Sequence, residues 1–86
     1  MSAAYKRDAL WLGLYNYAHE KWEKVLPEYE TFAKQFNGRP HWGKEFTMDK
    51  NYLSQQYERY DDFIKLKNEL DPTKKFENTF IKKLFE

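Results

Sequence analysis

Residues 19–38 of the chain, HEKWEKVLPEYETFAKQFNG, decide the fold class. Apolar and aromatic residues recur here at spacings of three and four, which predicts an amphipathic helix with aromatic residues in the core. These residues are Trp22, Val25, Leu26, Tyr29, Phe32, Ala33 and Phe36. Pro27 either lies in the first turn of a helix that begins near Lys24 or kinks a longer helix. Asn37 and Gly38 end the helix in either case, because both residue types tolerate the left-handed backbone conformation.

The segment before this helix is rich in residue types that favour β-structure. Residues 9–17, ALWLGLYNY, contain three aromatic side chains, and Leu10, Leu12 and Leu14 share one face if the chain is extended. The pattern predicts a strand over 9–17 with apolar residues on both faces. No other segment alternates well enough to pair with it, so this strand would need a sheet from elsewhere.

The chain beyond the helix begins with a connector and continues with shorter helices. Residues 38–46, GRPHWGKEF, combine two glycines with a proline and follow neither period, which is typical of a loop. Apolar spacing predicts helices over about 49–58 and 60–70, the second ended by Pro72. Asn78 is a good N-cap for a last short helix. The expected fold class is therefore α+β and mainly helical: one N-terminal strand, a long amphipathic helix, a Gly/Pro/His/Trp loop, then two or three shorter helices.

The composition restricts the possible classes of function. The 86 residues carry a net charge of +1, which provides no basic surface for nucleic acid, so no nucleic-acid partner is expected. No apolar run reaches the length of about 18 residues needed to span a membrane, and no signal peptide is recognisable. A cytoplasmic location is therefore expected, while membrane association of a parent enzyme stays open. The absence of cysteine excludes disulfides, thiolate catalysis and cysteine-ligated zinc.

The connector carries a resemblance to a known family. Residues 38–44, Gly-Arg-Pro-His-Trp-Gly-Lys, are similar to the C-terminal signature of the aldonolactone oxidase group in the vanillyl-alcohol-oxidase superfamily, which includes gulonolactone, arabinonolactone and alditol oxidases. The likeness covers most of the chain, and its elements follow in the same order as in the family. The other matching elements are Tyr29-Glu30-Thr31, Lys34-Gln35-Phe36, Leu70-Asp71-Pro72, Phe76, Asn78 and Leu84-Phe85.

This resemblance implies flavin chemistry, in which a hydride moves from a sugar-derived C–H bond to FAD. It implies that Lys44 is catalytic, because its ammonium would stabilise negative charge on the reduced flavin or on a developing alkoxide. His41 and Trp42 would form a wall beside the cofactor, and Gly43 would let the backbone approach the flavin ring. The Arg39-Pro40 pair would fix the approach of the loop.

The resemblance also implies that most of the active site lies outside these residues. In the family, the FAD-binding domain and the substrate-binding Glu-x-Arg pair of the cap are N-terminal to this region. The expected organisation is one fragment-like domain over 1–86, with 9–37 as a cap-like strand and helix and 38–86 as the segment that returns to the flavin domain. Such a chain would contribute one wall of the site in a sugar-lactone or alditol (polyol) oxidase. It would bind no FAD alone and would be inactive without the missing domain.

Other interpretations stay open beside this one. The chain could be a non-catalytic protein–protein interaction module derived from an oxidase tail, because its aromatic residues and unpaired strand favour self-association. Without the resemblance, Lys44 is an ordinary solvated lysine, and His41 and Trp42 are a packed pair under a turn. No metal is expected, because the candidate ligands have no matching spacing. Those candidates are His19, Glu20, His41 and Glu45.

Overall fold

The computed structural model describes residues 1–15 and 21–86. Within these ranges the chain is mainly helical, with the helices α1 (Trp22–Lys34), α2 (Lys50–Gln56), α3 (Tyr60–Leu70) and α4 (Thr79–Phe85). None of the helices in the described part is long and apolar enough to cross a membrane. The residues form two compact units. The N-terminal unit is Ser2–Thr47, and the C-terminal unit is Met48–Glu86 together with Met1.

The N-terminal strand predicted over 9–17 is wrong wherever the structure describes it. Residues 9–15 form no strand, and positions 16 and 17 lie outside the described residues. Leu10 is 86% exposed, and the segment is tied to α1 by the Tyr29 hydroxyl, which donates to the carbonyl oxygen of Leu12 at 2.9 Å. Residue types that favour β-structure form a strand only where a neighbouring backbone completes the hydrogen-bond ladder, and the described residues form no such ladder.

The helix α1 follows the longer of the two predicted courses. It begins at Trp22, so Pro27 lies inside the helix rather than in its first turn. At its C-terminal end Asn37 adopts φ 53°, and the Gly38 N–H donates to the carbonyl oxygen of Ala33 at 2.9 Å. A Cβ atom on Gly38 would lie 2.7 Å from that same oxygen, so the close approach requires glycine. The left-handed conformation expected after the helix is confirmed at Asn37, while α1 itself ends three residues earlier, at Lys34.

The aromatic face of α1 is not the core of the N-terminal unit. The buried residues of this helix are Leu26 and Glu30. Trp22 and Phe32 are exposed, and Phe36 is 68% exposed, so the expectation that these aromatic residues form a core is wrong. Helical spacing places side chains on a common face, but it does not supply the element that covers the face.

The C-terminal unit has an apolar core between its three helices. Helix α2 contacts both α3 and α4. The Tyr60 hydroxyl donates a hydrogen bond to the carbonyl oxygen of Leu84, and the Phe85 ring lies 5.8 Å from the Tyr60 ring and 5.0 Å from the Phe63 ring. The buried apolar residues of this unit are Met48, Leu53, Tyr57, Tyr60, Leu84 and Phe85.

Polar side chains define the starts and connections of these three helices. Asp49 and Asn78 are N-caps whose side-chain oxygens accept the backbone N–H three residues later, at 3.0 and 2.9 Å. Asn78 was predicted in this role, and the prediction is confirmed. Asp61 and Asp62 lie in the first turn of α3, where their charge favours the helix start. After α3, the Asp71 carboxylate accepts the N–H groups four and five residues later, at 2.8 and 2.9 Å.

Candidate functional site

The candidate site is the signature loop, residues 38–47, which leaves the C-terminal end of α1. The first part of this loop is held by the N-terminal residues of the same unit. The Arg39 guanidinium donates to the carbonyl oxygen of Tyr5 at 2.9 Å and to that of Ala3 at 3.4 Å. Pro40 is buried directly after it. These contacts fix the first part of the loop within the N-terminal unit, and the role of Arg39-Pro40 in its approach to a cofactor stays a prediction.

Residues 41–44 form a tight turn within the signature loop. The Lys44 N–H donates to the carbonyl oxygen of His41 at 3.0 Å, and the Gly43 N–H donates to His41 Nδ1 at the same distance. Because Nδ1 accepts a hydrogen bond, the proton of the neutral imidazole is assigned to Nε2. The histidine thus organises the turn through one nitrogen and presents an N–H donor at the other.

Aromatic rings support the turn on either side. The His41 ring stands edge-on to Trp11, with the ring centroids 6.0 Å apart. The Trp42 ring stands edge-on to Phe46 at 6.1 Å. Edge-to-face geometry at these separations is the favourable arrangement for aromatic pairs. The two residues that the resemblance assigned to a cofactor wall therefore contact different aromatic partners within the N-terminal unit.

The outer side of the turn is open. Lys44 and Gly43 are both exposed. Among the described residues, a Cβ atom on Gly43 would have only the His41 imidazole nearby, at 3.4 and 3.5 Å. The backbone at Gly43 is therefore accessible from the solvent side, next to the exposed Lys44. The structure brings His41, Trp42, Gly43 and Lys44 together in one turn, and their roles at a flavin stay predictions.

The last residue of the loop is anchored by a contact that the sequence reasoning missed. Glu30 is only 3% exposed, and one oxygen of its carboxylate accepts the Thr47 N–H at 2.6 Å. Its other oxygen accepts a hydrogen bond from the Thr47 hydroxyl. A signal was present in the sequence, because Glu30 occupies the same helical stripe as Leu26 and Ala33, at spacings of four and three. A carboxylate on an apolar stripe indicates a specific buried partner.

The described residues fit part of a flavin cofactor and not all of it. The turn offers an open backbone and a cation for the ring. A pyrophosphate requires a glycine-rich loop or a helix start aimed at it, and the chain has only Gly13, Gly38 and Gly43. Within the described ranges no group of three or more potential ligands could hold a metal ion. His19 and Glu20 lie outside the described residues.

Comparisons with known proteins point to one family. The family model described as D-arabinono-1,4-lactone oxidase matches residues 1–84. L-gulono-1,4-lactone dehydrogenase from Mycobacterium tuberculosis is 30% identical over 98% of this chain, and L-gulonolactone oxidase from Mus musculus is 30% identical over 99% of it. Alditol oxidase from a Streptomyces species is 45% identical over 74% of the chain. The matched regions span only 20%, 20% and 16% of these relatives. No solved structure matches.

Proposed function

Because this chain belongs to the D-arabinono-1,4-lactone oxidase family, we propose that its signature loop forms one wall of the flavin and substrate site of an FAD-dependent sugar-lactone or alditol oxidase. The chain corresponds to about a fifth of the length of its relatives. The rest of the site, including the phosphate-binding part, is supplied in this proposal by sequence outside these residues. The chain alone is not catalytically complete.

The observation that carries the proposal is the exposed Lys44 in a turn whose two ends are held. A lysine side chain has about 2 kcal/mol of rotamer entropy, so its position is useful in catalysis only if its backbone is well placed. Here the backbone N–H of Lys44 is bound to His41, and the loop is anchored before and after the turn. An ordinary solvated lysine requires none of these contacts.

The chemical roles follow from the groups that the turn presents. Bound FAD would supply the hydride acceptor. The Lys44 ammonium would attract the negative charge that develops on the flavin or on the substrate oxygen. The Nε2–H group of His41 would donate a hydrogen bond, and Trp42 would limit the access of water. Gly43 would allow the close approach of a planar ring.

A chimera with the alditol oxidase from Streptomyces tests this role. The segment of that enzyme matched by this chain is replaced with the present sequence, and flavin reduction by an alditol is followed by stopped-flow absorbance. We expect Lys44→Ala to slow flavin reduction by about 10²–10³-fold, the effect of removing one preorganised charge-stabilising group. Lys44→Arg should restore little, because guanidinium and ammonium groups differ in shape and reach.

The matched control is Lys65→Ala, which removes an exposed lysine from α3. Flavin content should be the same in all variants, so that a change in rate reflects chemistry rather than assembly. Equal reduction rates for the Lys44→Ala and Lys65→Ala chimeras would assign Lys44 to the solvated surface. The isolated chain should show no flavin absorbance after gel filtration with FAD.

The exposed N-terminal segment favours a second function, a non-catalytic interaction module. Residues 10–15 carry large apolar side chains on the surface, namely Leu10, Trp11, Leu12, Leu14 and Tyr15. Contiguous exposed apolar residues are typical of a surface that binds another protein or a second copy. Two results would together favour this function over the first. The chain would sediment as a dimer that the substitution Trp11→Ser dissociates, and the chimera would be inactive.

A further inference from the structure

We propose that Glu30 is a positioning residue that holds the end of the signature loop and thereby sets the place of Lys44. The two hydrogen bonds from Thr47 to the Glu30 carboxylate are called the clamp. The purpose of placing Lys44 rests on the function proposed above, but the existence of the clamp does not. Glu30 lies on α1, outside the loop, and acts only through Thr47. It is therefore distinct from the residues that would face a cofactor.

The Glu30 carboxylate is buried without a cation beside it. Glu30 is 3% exposed, and among the residues that the structure describes no ion pair neutralises it. Burying a carboxylate is costly unless strong hydrogen bonds compensate. Both oxygens of Glu30 accept hydrogen bonds from Thr47, one from its N–H and one from its hydroxyl. Charge-assisted hydrogen bonds of this kind are about twice as strong as neutral ones. Both oxygens of the carboxylate therefore bind Thr47 strongly.

The last two turns of α1 hold both ends of the loop. Glu30 and Ala33 are three positions apart on this helix. The carbonyl oxygen of Ala33 accepts the Gly38 N–H at 2.9 Å, at the beginning of the loop. Glu30 accepts from Thr47 at its end. The separation between the two ends of the loop is therefore set by less than one turn of a regular helix.

The path along the chain from Thr47 to the turn is short. Only Glu45 and Phe46 separate Thr47 from Lys44. The Phe46 ring contacts Trp42, so this short path is also packed against the turn itself. When Thr47 is released, Phe46 loses its fixed approach to Trp42. The backbone at Lys44 then gains freedom that the His41 contacts alone do not remove.

The test uses ¹⁵N-labelled chain and the substitution Glu30→Gln, which keeps the shape and removes the charge. We expect hydrogen exchange of the Thr47 amide to become about tenfold faster, as for a lost hydrogen bond to a charged acceptor. We also expect chemical-shift changes at the Gly43 and Lys44 amides. The control is Glu28→Gln, the same change at an exposed position of α1, which should leave these signals unchanged.

Substitutions at Thr47 separate positioning of the turn from general support of the fold. If Glu30→Gln does not fold, Thr47→Val removes the hydroxyl donor at the other end of the clamp, and Thr47→Ser should restore the wild-type signals.

The proposal is overturned if Thr47 loses protection in Glu30→Gln or Thr47→Val while the Gly43 and Lys44 amides stay at their wild-type shifts. The clamp would then support only the end of the loop. A different outcome would contradict only the proposed function. In that case the Lys44→Ala and Lys65→Ala chimeras reduce flavin at equal rates, while the amide signals still show the contact between Glu30 and Thr47.

Discussion

The two units of this chain use their apolar residues in opposite ways. In the C-terminal unit, three short helices contact one another and bury residues such as Leu53, Tyr57 and Leu84. In the N-terminal unit, a longer amphipathic helix buries Leu26 and leaves Trp22 and Phe32 exposed. Aromatic content is therefore no measure of a core. A helical stripe is buried only when another regular element lies across it.

Hydrogen bonds from side chains to distant backbone groups link separate segments of the N-terminal unit. The Arg7 guanidinium donates to the carbonyl oxygen of Asn37 at 2.8 Å, and Arg39 reaches Tyr5. Such bonds depend strongly on geometry, and water competes for them where they are exposed, as at Arg7.

Shortening a buried leucine should give the largest difference in stability between the two units. Leu53 is fully buried in α2, so Leu53→Ala should lower the free energy of unfolding by about 4 kcal/mol, within the range for buried leucines. Leu10→Ala in the N-terminal unit should change it by less than about 0.5 kcal/mol, because that side chain is already in solvent. Urea unfolding followed by far-ultraviolet circular dichroism measures both values. Similar losses for the two variants would show that residues 10–15 are covered in solution.

A buried ion pair should give the next largest effect. The Glu77 side chain is 2% exposed, and its carboxylate lies 3.0 Å from Lys67 Nζ, with Lys74 and Lys82 at 3.9 and 3.8 Å. Glu77→Gln leaves the largely buried Lys67 ammonium without a carboxylate to neutralise it, and we expect a loss of about 3 kcal/mol in the same unfolding measurement.

The control for this pair is Asp62→Asn. Asp62 is paired with Arg59 at 3.0 Å on the exposed surface of the same unit, and its loss should cost no more than about 1 kcal/mol. A loss as large as that of Glu77→Gln would contradict the distinction between the buried and the exposed pair.

The smallest expected effect is a loss of stability at alkaline pH that is due to the Tyr60 hydroxyl. Burial, and next the charge of Asp61, raises the pKa of Tyr60 above its ordinary value near 10. The folded unit therefore holds this proton more tightly than the unfolded chain does. Its contribution to stability is complete below about pH 10 and is lost as the pH rises through the folded-state pKa.

The variant Tyr60→Phe removes both this proton and the hydrogen bond to Leu84, and it should cost about 1 kcal/mol at neutral pH. Between pH 9 and 11, the free energy of unfolding measured in urea should fall less steeply with pH in Tyr60→Phe than in the wild type. Equal slopes for the two proteins would show that the Tyr60 hydroxyl is accessible to water in the folded unit.

Much of the site could be predicted from the sequence, and its anchoring could not. The Gly-Arg-Pro-His-Trp-Gly-Lys signature indicated where the loop lies and which family it belongs to, because those residue types are contiguous. The sequence marks Glu30 through the Tyr29-Glu30-Thr31 match and through its place on the apolar stripe of α1, but neither feature identifies its partner. Its contact with Thr47 joins residues seventeen positions apart, and no local pattern reports that distance.

The sequence by itself determined the local structure: the left-handed residue Asn37 that follows α1, the cap at Asn78, and the mainly helical class. These features depend on backbone preferences that act over a few residues. The tertiary structure alone decided which apolar faces are buried and whether residues 9–15 form a strand. Burial and strand pairing both require a second segment of chain at a defined place, and the residues of one segment do not specify that partner.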